Sequence, residues 1–258
     1  MHLTANGIRI HYTIDGDGPW LVMSHSLACS SVMWDAQVAL LRDRFKVLRF
    51  DTRGHGGTDA PLGAYTLDQL ADDLQGLLDG LGIDRCSFMG LSMGGMIAMT
   101  HALRHPGRFD RMILCNTSSR IPPEAAPVWR QRIETATTQG VEPLVLPTLE
   151  RWFTAGFREG RPDVLAAVAA QIRATPVAGY VGCCHAIPKL DLTDRLAALQ
   201  VPTLVIAGDQ DIGTPLEMAR AIQLAIPGAQ LACIPSASHL SNLEQPELFG
   251  ALVQQFLR

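Results

Sequence analysis

The stretch Ser87-Phe88-Met89-Gly90-Leu91-Ser92-Met93-Gly94-Gly95-Met96 places a serine inside a G-x-S-x-G turn at the end of an apolar run. Glycines two before and two after Ser92 let the chain reverse sharply from strand into helix, which holds the hydroxyl in a strained, exposed position, a nucleophile elbow. Alone the pentapeptide is a weak signal, because an ordinary glycine-rich helix start has the same letters. Its surroundings decide. Arg85-Cys86-Ser87-Phe88-Met89 reads as a short buried strand, and Met96, Ile97, Met99, Thr100 and Leu103 continue at helical spacing to His105-Pro106.

A serine hydroxyl is a poor nucleophile at neutral pH unless a neighbouring base takes its proton and an acid orients that base. After such an elbow the acid and the histidine follow in that order. Pro202-Thr203-Leu204-Val205-Ile206-Ala207-Gly208 is a β-rich strand that ends in Asp209-Gln210-Asp211, and Ile212-Gly213-Thr214-Pro215 then opens a helix. Asp211 is the expected acid; Asp209, nearer the strand, is the alternative, read first as a turn or capping residue. A further strand, Leu231-Ala232-Cys233-Ile234-Pro235, leads to Ser236-Ala237-Ser238-His239-Leu240, and His239 is the only histidine after Asp211. It sits on the loop before the last helix and is the expected base.

Acyl transfer also needs donors for a developing oxyanion. The backbone N–H of Met93 is one, next after the serine and at a helix N-terminus whose dipole favours negative charge. The strand Trp20-Leu21-Val22-Met23 leads into Ser24-His25-Ser26-Leu27-Ala28, where Leu27 is the second expected donor. A helix follows from Ser30 or Ser31. His25 precedes Ser92 and is read as shaping this loop rather than as a base.

At 258 residues and 47% hydrophobic content the chain can bury a large core. A net charge of −4 without a basic run leaves no electrostatic footprint for nucleic acid. No stretch approaches the roughly 18 apolar residues of a membrane span, and the N-terminus has no basic region before an apolar one. The expectation is a cytoplasmic protein with no membrane or nucleic-acid partner; a homo-oligomer is compatible with the chain and not specified by it. The six cysteines show neither metal-ligand nor disulfide spacing. Cys86, Cys115 and Cys233 sit in apolar strands and read as buried thiols.

The chain alternates strands with helices. Leu3–Thr4 and Ile8–Thr13 form a hairpin, Leu21–Met23 and Val47–Phe50 are strands, and a helix spans Val32 to Leu41 between them. Thr66 opens a helix with Leu67, Leu70, Ala71, Leu74, Leu77, Leu78 and Leu81 on one side and Asp68, Asp72, Asp73 and Gln75 on the other. The elbow strand and Met112–Cys115 follow. This pattern predicts an α/β fold: a mostly parallel, eight-stranded sheet covered by helices. Ligands in such sheets bind at the carboxyl ends of strands, where Leu27, Ser92, Asp211 and His239 all fall.

From Pro122 to Ile187 the alternation stops and the composition becomes helical, with Pro122, Pro123, Pro127, Pro143, Pro147, Pro162 and Pro176 as breaks. The expected division is a core of residues 1–121 and 188–258 with a helical cap, 122–187, over the site and shaping its pocket. Trp129, Trp152, Arg130 and Tyr180 are candidate substrate-binding residues there. Together with Phe153 and Phe157, the aromatic ones are equally candidates for the cap's own core.

These features resemble the α/β-hydrolase fold family: the elbow, Arg53-Gly54-His55-Gly56 followed by Asp59, and the acid and histidine in their order. Across nearly the whole chain it resembles the 3-oxoadipate enol-lactonases of aromatic degradation. The matching segments are Ser26-Leu27 with Met33-Trp34, Asp51 to Gly56, Gly90 to Met96, Asn116-Thr117, Arg151-Trp152-Phe153-Thr154, Gly179 to Ile187, and His239 to Pro246. The cap segments are the specific part. The resemblance implies Ser92 as nucleophile, His239 as base, Asp211 as acid, and Leu27 and Met93 as oxyanion donors. It also implies that Cys183 and Cys184 are packing residues.

The expected function is therefore lactone or ester opening by a serine hydrolase, with no metal or organic cofactor and a small-molecule substrate as partner. The enol-lactone carries a carboxylate, so a cation is expected in the pocket; Arg120, Arg130, Arg132 and Arg151 are the candidates. Simple esters, other lactones and peracids are alternative substrates. A binding module without catalysis is the alternative of another class.

Overall fold

Ile8, Ile10 and Tyr12 alternate with Arg9 and His11, and this period of two makes β2 (Ile8–Asp15) a strand that buries one face in the computed structural model, which describes residues 1–258. It pairs with β1 (His2–Ala5) through Asn6-Gly7, both left-handed at φ 47 and 76, the geometry of a tight hairpin turn. β3 (Trp20–Ser24) leads through a 3-10 turn, Ser31–Trp34, into α1 (Asp35–Leu41), so the expected helix at 32–41 is two pieces. β4 (Lys46–Phe50) follows, then α2 (Leu67–Gly80), β5 (Cys86–Leu91), α3 (Met93–Arg104) and β6 (Phe109–Cys115). Thr66 caps α2 as expected, its hydroxyl accepting from Gln69 N at 3.0 Å.

Five helices come next: α4 (Ala126–Gln139), α5 (Glu142–Trp152), α6 (Ala155–Gly160), α7 (Pro162–Ala174) and α8 (Val177–Ala186). Their prolines start helices more than they break them. Pro127, Pro143 and Pro162 occupy first turns, where the missing N–H costs nothing, while Pro147 lies inside α5. The sheet resumes with β7 (Thr203–Gly208), α9 (Leu216–Ala225) and β8 (Gln230–Ile234), and the chain ends in α10 (Ser241–Glu244) and α11 (Pro246–Phe256), split at Pro246. No single helix is long and apolar enough to cross a membrane.

The eight strands run in the order β1-β2-β4-β3-β5-β6-β7-β8. The β1–β2 and β2–β4 pairs are antiparallel and the other five are parallel. β5 lies near the middle and every one of its residues is buried, as a strand covered on both faces by helices requires. β8 is the sheet's edge, and there the sequence reading of Cys233 fails. That thiol is exposed, while Cys86 and Cys115 on inner strands are buried.

Packing at the elbow is set by backbone-to-backbone approach. A methyl group on Gly90 would lie 2.3 Å from Gly94 O, and one on Gly94 would lie 2.2 Å from Ser24 O. Only glycine lets α3 start this close to β5 and β3. Leu149, Trp152, Val168 and Cys184 of the five inserted helices belong to the same buried cluster as Val22 and Phe88 of the sheet.

Candidate active site

Ser92 stands between β5 and α3 at φ 55, ψ −115, a conformation that non-glycine residues rarely adopt. It is held there from both sides. Its N–H donates to Cys115 O at 2.9 Å, and its carbonyl accepts from the Thr117 hydroxyl at 2.7 Å. Met93, next along, is the first residue of α3, so its backbone N–H belongs to the unsatisfied first turn.

Asp211 follows β7 and is buried, with five donors converging on it. Gly213 N (2.8 Å) and Thr214 N (2.9 Å) reach Oδ1; the Thr214 hydroxyl (2.6 Å), Asn116 Nδ2 (3.0 Å) and His239 Nδ1 (2.8 Å) reach Oδ2. Burial pushes the carboxyl up, but the facing His239 and the donors from Thr214 outweigh it and hold it down at about 2. Asp209 is exposed and accepts from Ala237 N at 3.3 Å, in keeping with a turn residue. Asp211, not Asp209, meets the histidine.

His239 lies in the loop between β8 and α10 and is buried. Its ring is stacked with Trp152, centroids 5.8 Å apart and planes at 26°. Ser92 and His239 line one cavity of about 260 Å³, with Ser26, Leu27, Met96, Trp129, Arg132, Arg151, Trp152 and Thr214 among its other walls. Both side chains line this cavity without a hydrogen bond between Ser92 Oγ and the His239 ring. Such contacts commonly tighten only around a bound substrate.

The Leu27 loop is braced by two histidines. Thr52 N donates to His25 Nε2 at 2.9 Å, and His25 Nδ1 lies 2.7 Å from Ser26 O. Ala28 N donates to His55 Nε2 at 2.9 Å, and His55 Nδ1 lies 3.2 Å from Arg53 O. Both rings therefore accept at Nε2 and donate at Nδ1, the neutral tautomer. Burial pushes both down, His55 to about 3. The neighbouring Leu27 lines the cavity, and its N–H has no acceptor in the chain. His25 shapes the loop, as its position before Ser92 suggests.

The four candidate substrate-binding residues divide. Trp129 and Trp152 line the cavity. Arg130 does not: it is exposed, because on α4 the residues that line the cavity are Val128, Trp129 and Arg132, and a position between 129 and 132 points away. Tyr180 does not either; it is buried in α8 with its hydroxyl against Cys184, as part of the helices' own core. Arg120 is bound at the surface by Asp191 (2.5 Å) and Asp194 (2.6 Å).

The cations that face the cavity are Arg132 and Arg151, and neither has an acidic partner. Burial and then the like charge of Arg132 lower Arg151 to about 10, so it stays charged at neutral pH. Two partners that the sequence reading did not single out are Thr214 and Asn116 at Asp211. The Thr214 signal was present in the Asp-x-x-Thr spacing after a strand. No group of three or more His, Cys, Asp or Glu side chains is arranged to hold a metal ion.

A family model described as the alpha/beta hydrolase fold matches residues 19–246. The chain is 35% identical to 3-oxoadipate enol-lactonase 2 of Acinetobacter baylyi over 258 residues, covering 99% of this chain and 96% of the relative. Among solved structures, the enol-lactonase from Burkholderia xenovorans LB400 superposes with a TM-score of 0.96 at 42% identity, covering 100% of this chain and 99% of that one. A thermophilic esterase from Thermogutta terrifontis, solved with malate bound, has a TM-score of 0.96 at 31% identity and covers 100% and 98%. With an elbow serine, a buried Asp–His pair and a helix-covered parallel sheet, all spanned by that match, the chain belongs to the α/β-hydrolase fold family and is a hydrolase.

Proposed function

We propose that the protein is a serine hydrolase that opens a lactone or ester, with 3-oxoadipate enol-lactone as its substrate. The observation that carries this reading is the Asp211–His239 hydrogen bond at 2.8 Å with His239 and Ser92 on the walls of one cavity. His239 takes the Ser92 proton as Oγ attacks the lactone carbonyl, Asp211 holds the imidazole, and the N–H groups of Leu27 and Met93 receive the oxyanion. The ring C–O bond breaks, the leaving enol oxygen takes the proton from His239, and water, activated by the same histidine, releases the acyl group. Apart from that water, the reacting groups come from the chain and the substrate.

Residues 122–187 act in this reading as a cap that sets specificity. Support comes from Trp129 and Arg132 on α4 and Arg151 and Trp152 on α5, which line the same cavity as Ser92. Arg132 and Arg151 are the cations for a substrate carboxylate: unpaired and partly desolvated, they gain most from an anionic ligand. The enol-lactonase relatives and the malate-bound esterase agree with a cavity that accepts a small acid.

Turnover of the enol-lactone compared with a short uncharged aryl ester tests the substrate. The expected result is a kcat/KM for the lactone at least about tenfold higher, lost in Arg151→Ala through KM, as removing one charge-assisted contact predicts. A preference for the uncharged ester by orders of magnitude makes the protein a general esterase instead.

A further inference from the structure

The loop that carries His239 is tied to the ends of β6 and β7, through Asn116 Nδ2 on Ser238 O (3.0 Å) and Gln210 N on Ala237 O (2.9 Å), and also to the inserted helices. The Ser238 hydroxyl donates to Arg151 O at 3.1 Å, and Leu240 N donates to Trp152 O at 3.3 Å. Beneath both sits Glu244 of α10, only 7% exposed. Its Oε1 accepts from Thr154 N at 2.8 Å and from the Thr154 hydroxyl at 2.9 Å, and its Oε2 accepts from Ser238 N. The Thr154 hydroxyl itself accepts from Phe157 N at 3.3 Å, which commits its proton to Glu244.

Every partner of this carboxylate is a donor, so an ionised, two-oxygen acceptor is the group that fits. Glutamine does not replace it, because its amide N–H₂ would meet either the Ser238 or the Thr154 N–H. One buried side chain thus joins the residue before His239 to the segment after Trp152, whose indole is stacked on the His239 ring. We propose that Glu244 is a positioning residue that holds the His239 loop and the Arg151–Trp152 wall of the cavity as one unit. The base and the substrate anchor are then aligned by the same contact, and α5 cannot swing from the cavity independently of His239.

The proposal rests on the serine-hydrolase reading, and its test separates the two. A small serine-directed phosphonate first titrates wild-type enzyme; absence of labelling overturns the hydrolase reading and this proposal with it. In Glu244→Gln, rates are then expressed per titrated site. The expected result is a fall of about tenfold or more in kcat for a short aryl ester with KM little changed, and for a carboxylate substrate a rise in KM as well, since misplacement by about 1 Å can cost up to about a hundredfold. A purely structural role would lower the titratable fraction while leaving both constants per site within about twofold, and that result overturns the proposal. Should this variant fail to fold, Thr154→Val removes the hydroxyl's bond to Glu244, together with its cap on Phe157 N, and leaves the Thr154 N–H on Glu244. It is expected to raise KM for the carboxylate substrate several-fold, and an unchanged KM overturns the proposal.

Discussion

Asp211 concentrates more donors on one carboxylate than any other acid of the chain, and the consequence is thermodynamic. Its carboxyl, held at about 2 against an ordinary 3.8, binds its proton more weakly in the folded state than in the unfolded one. A depressed carboxyl adds stability above its unfolded value and loses it as pH falls through the folded one. The contribution is therefore full above about pH 4 and fades toward pH 2, and it amounts to about 2 kcal/mol. Denaturant unfolding at pH 6 and at pH 2.5 measures it: wild type loses about 2 kcal/mol more over this range than Asp211→Asn, and equal losses would contradict the assignment. That Ser92, Asp211 and His239 would gather at one end of the sheet was legible in sequence because each stands just past a strand, where chain order and strand ends constrain the choice. Arg130 and Tyr180 were not, because which side of α4 or α8 faces the cavity is decided by packing between helices.

Among elements, the elbow is where backbone geometry leaves least freedom. A Cβ on Gly94 would lie 2.2 Å from Ser24 O, so Gly94→Ala must push α3 off β3. The expected cost is about 2 kcal/mol or more, read as a lower denaturant midpoint, with activity per folded molecule falling as Ser92 shifts. Thr66→Ala, by contrast, removes only the α2 cap and costs about 1 kcal/mol with activity intact. The strands and major helices were readable because their apolar periods are strong. The 3-10 turn before α1, the break between α10 and α11, and the exposure of Cys233 escaped for a different reason. They depend on local turn geometry and on β8 lying at the sheet's edge, and a one-dimensional pattern does not give strand order.

Across the whole molecule, the five inserted helices press directly on the core. Gly179 of α8 meets the Gly54 turn so closely that a methyl group on Gly179 would lie 1.9 Å from Gly54 O. Gly179→Ala is expected to lift α8, and with it the neighbouring α4 that carries Trp129 and Arg132, raising KM several-fold more than it lowers kcat, as loss of substrate binding rather than of chemistry predicts. A change confined to kcat would place the wall of the cavity elsewhere. The same architecture sets the boundary of what sequence conveyed: the sheet and the run of helices between β6 and β7 were readable, but which arginines face the cavity, Arg132 and Arg151 rather than Arg120 and Arg130, required the packed helices. The reading as a whole stands on the Ser92 hydroxyl, and side-by-side assays of wild type and Ser92→Ala on the enol-lactone and a short aryl ester, with phosphonate labelling of both proteins, test it most directly. The expected result is stoichiometric labelling of wild type alone and a loss of at least about a thousandfold in kcat in the folded variant; a Ser92→Ala protein that keeps its activity would contradict it.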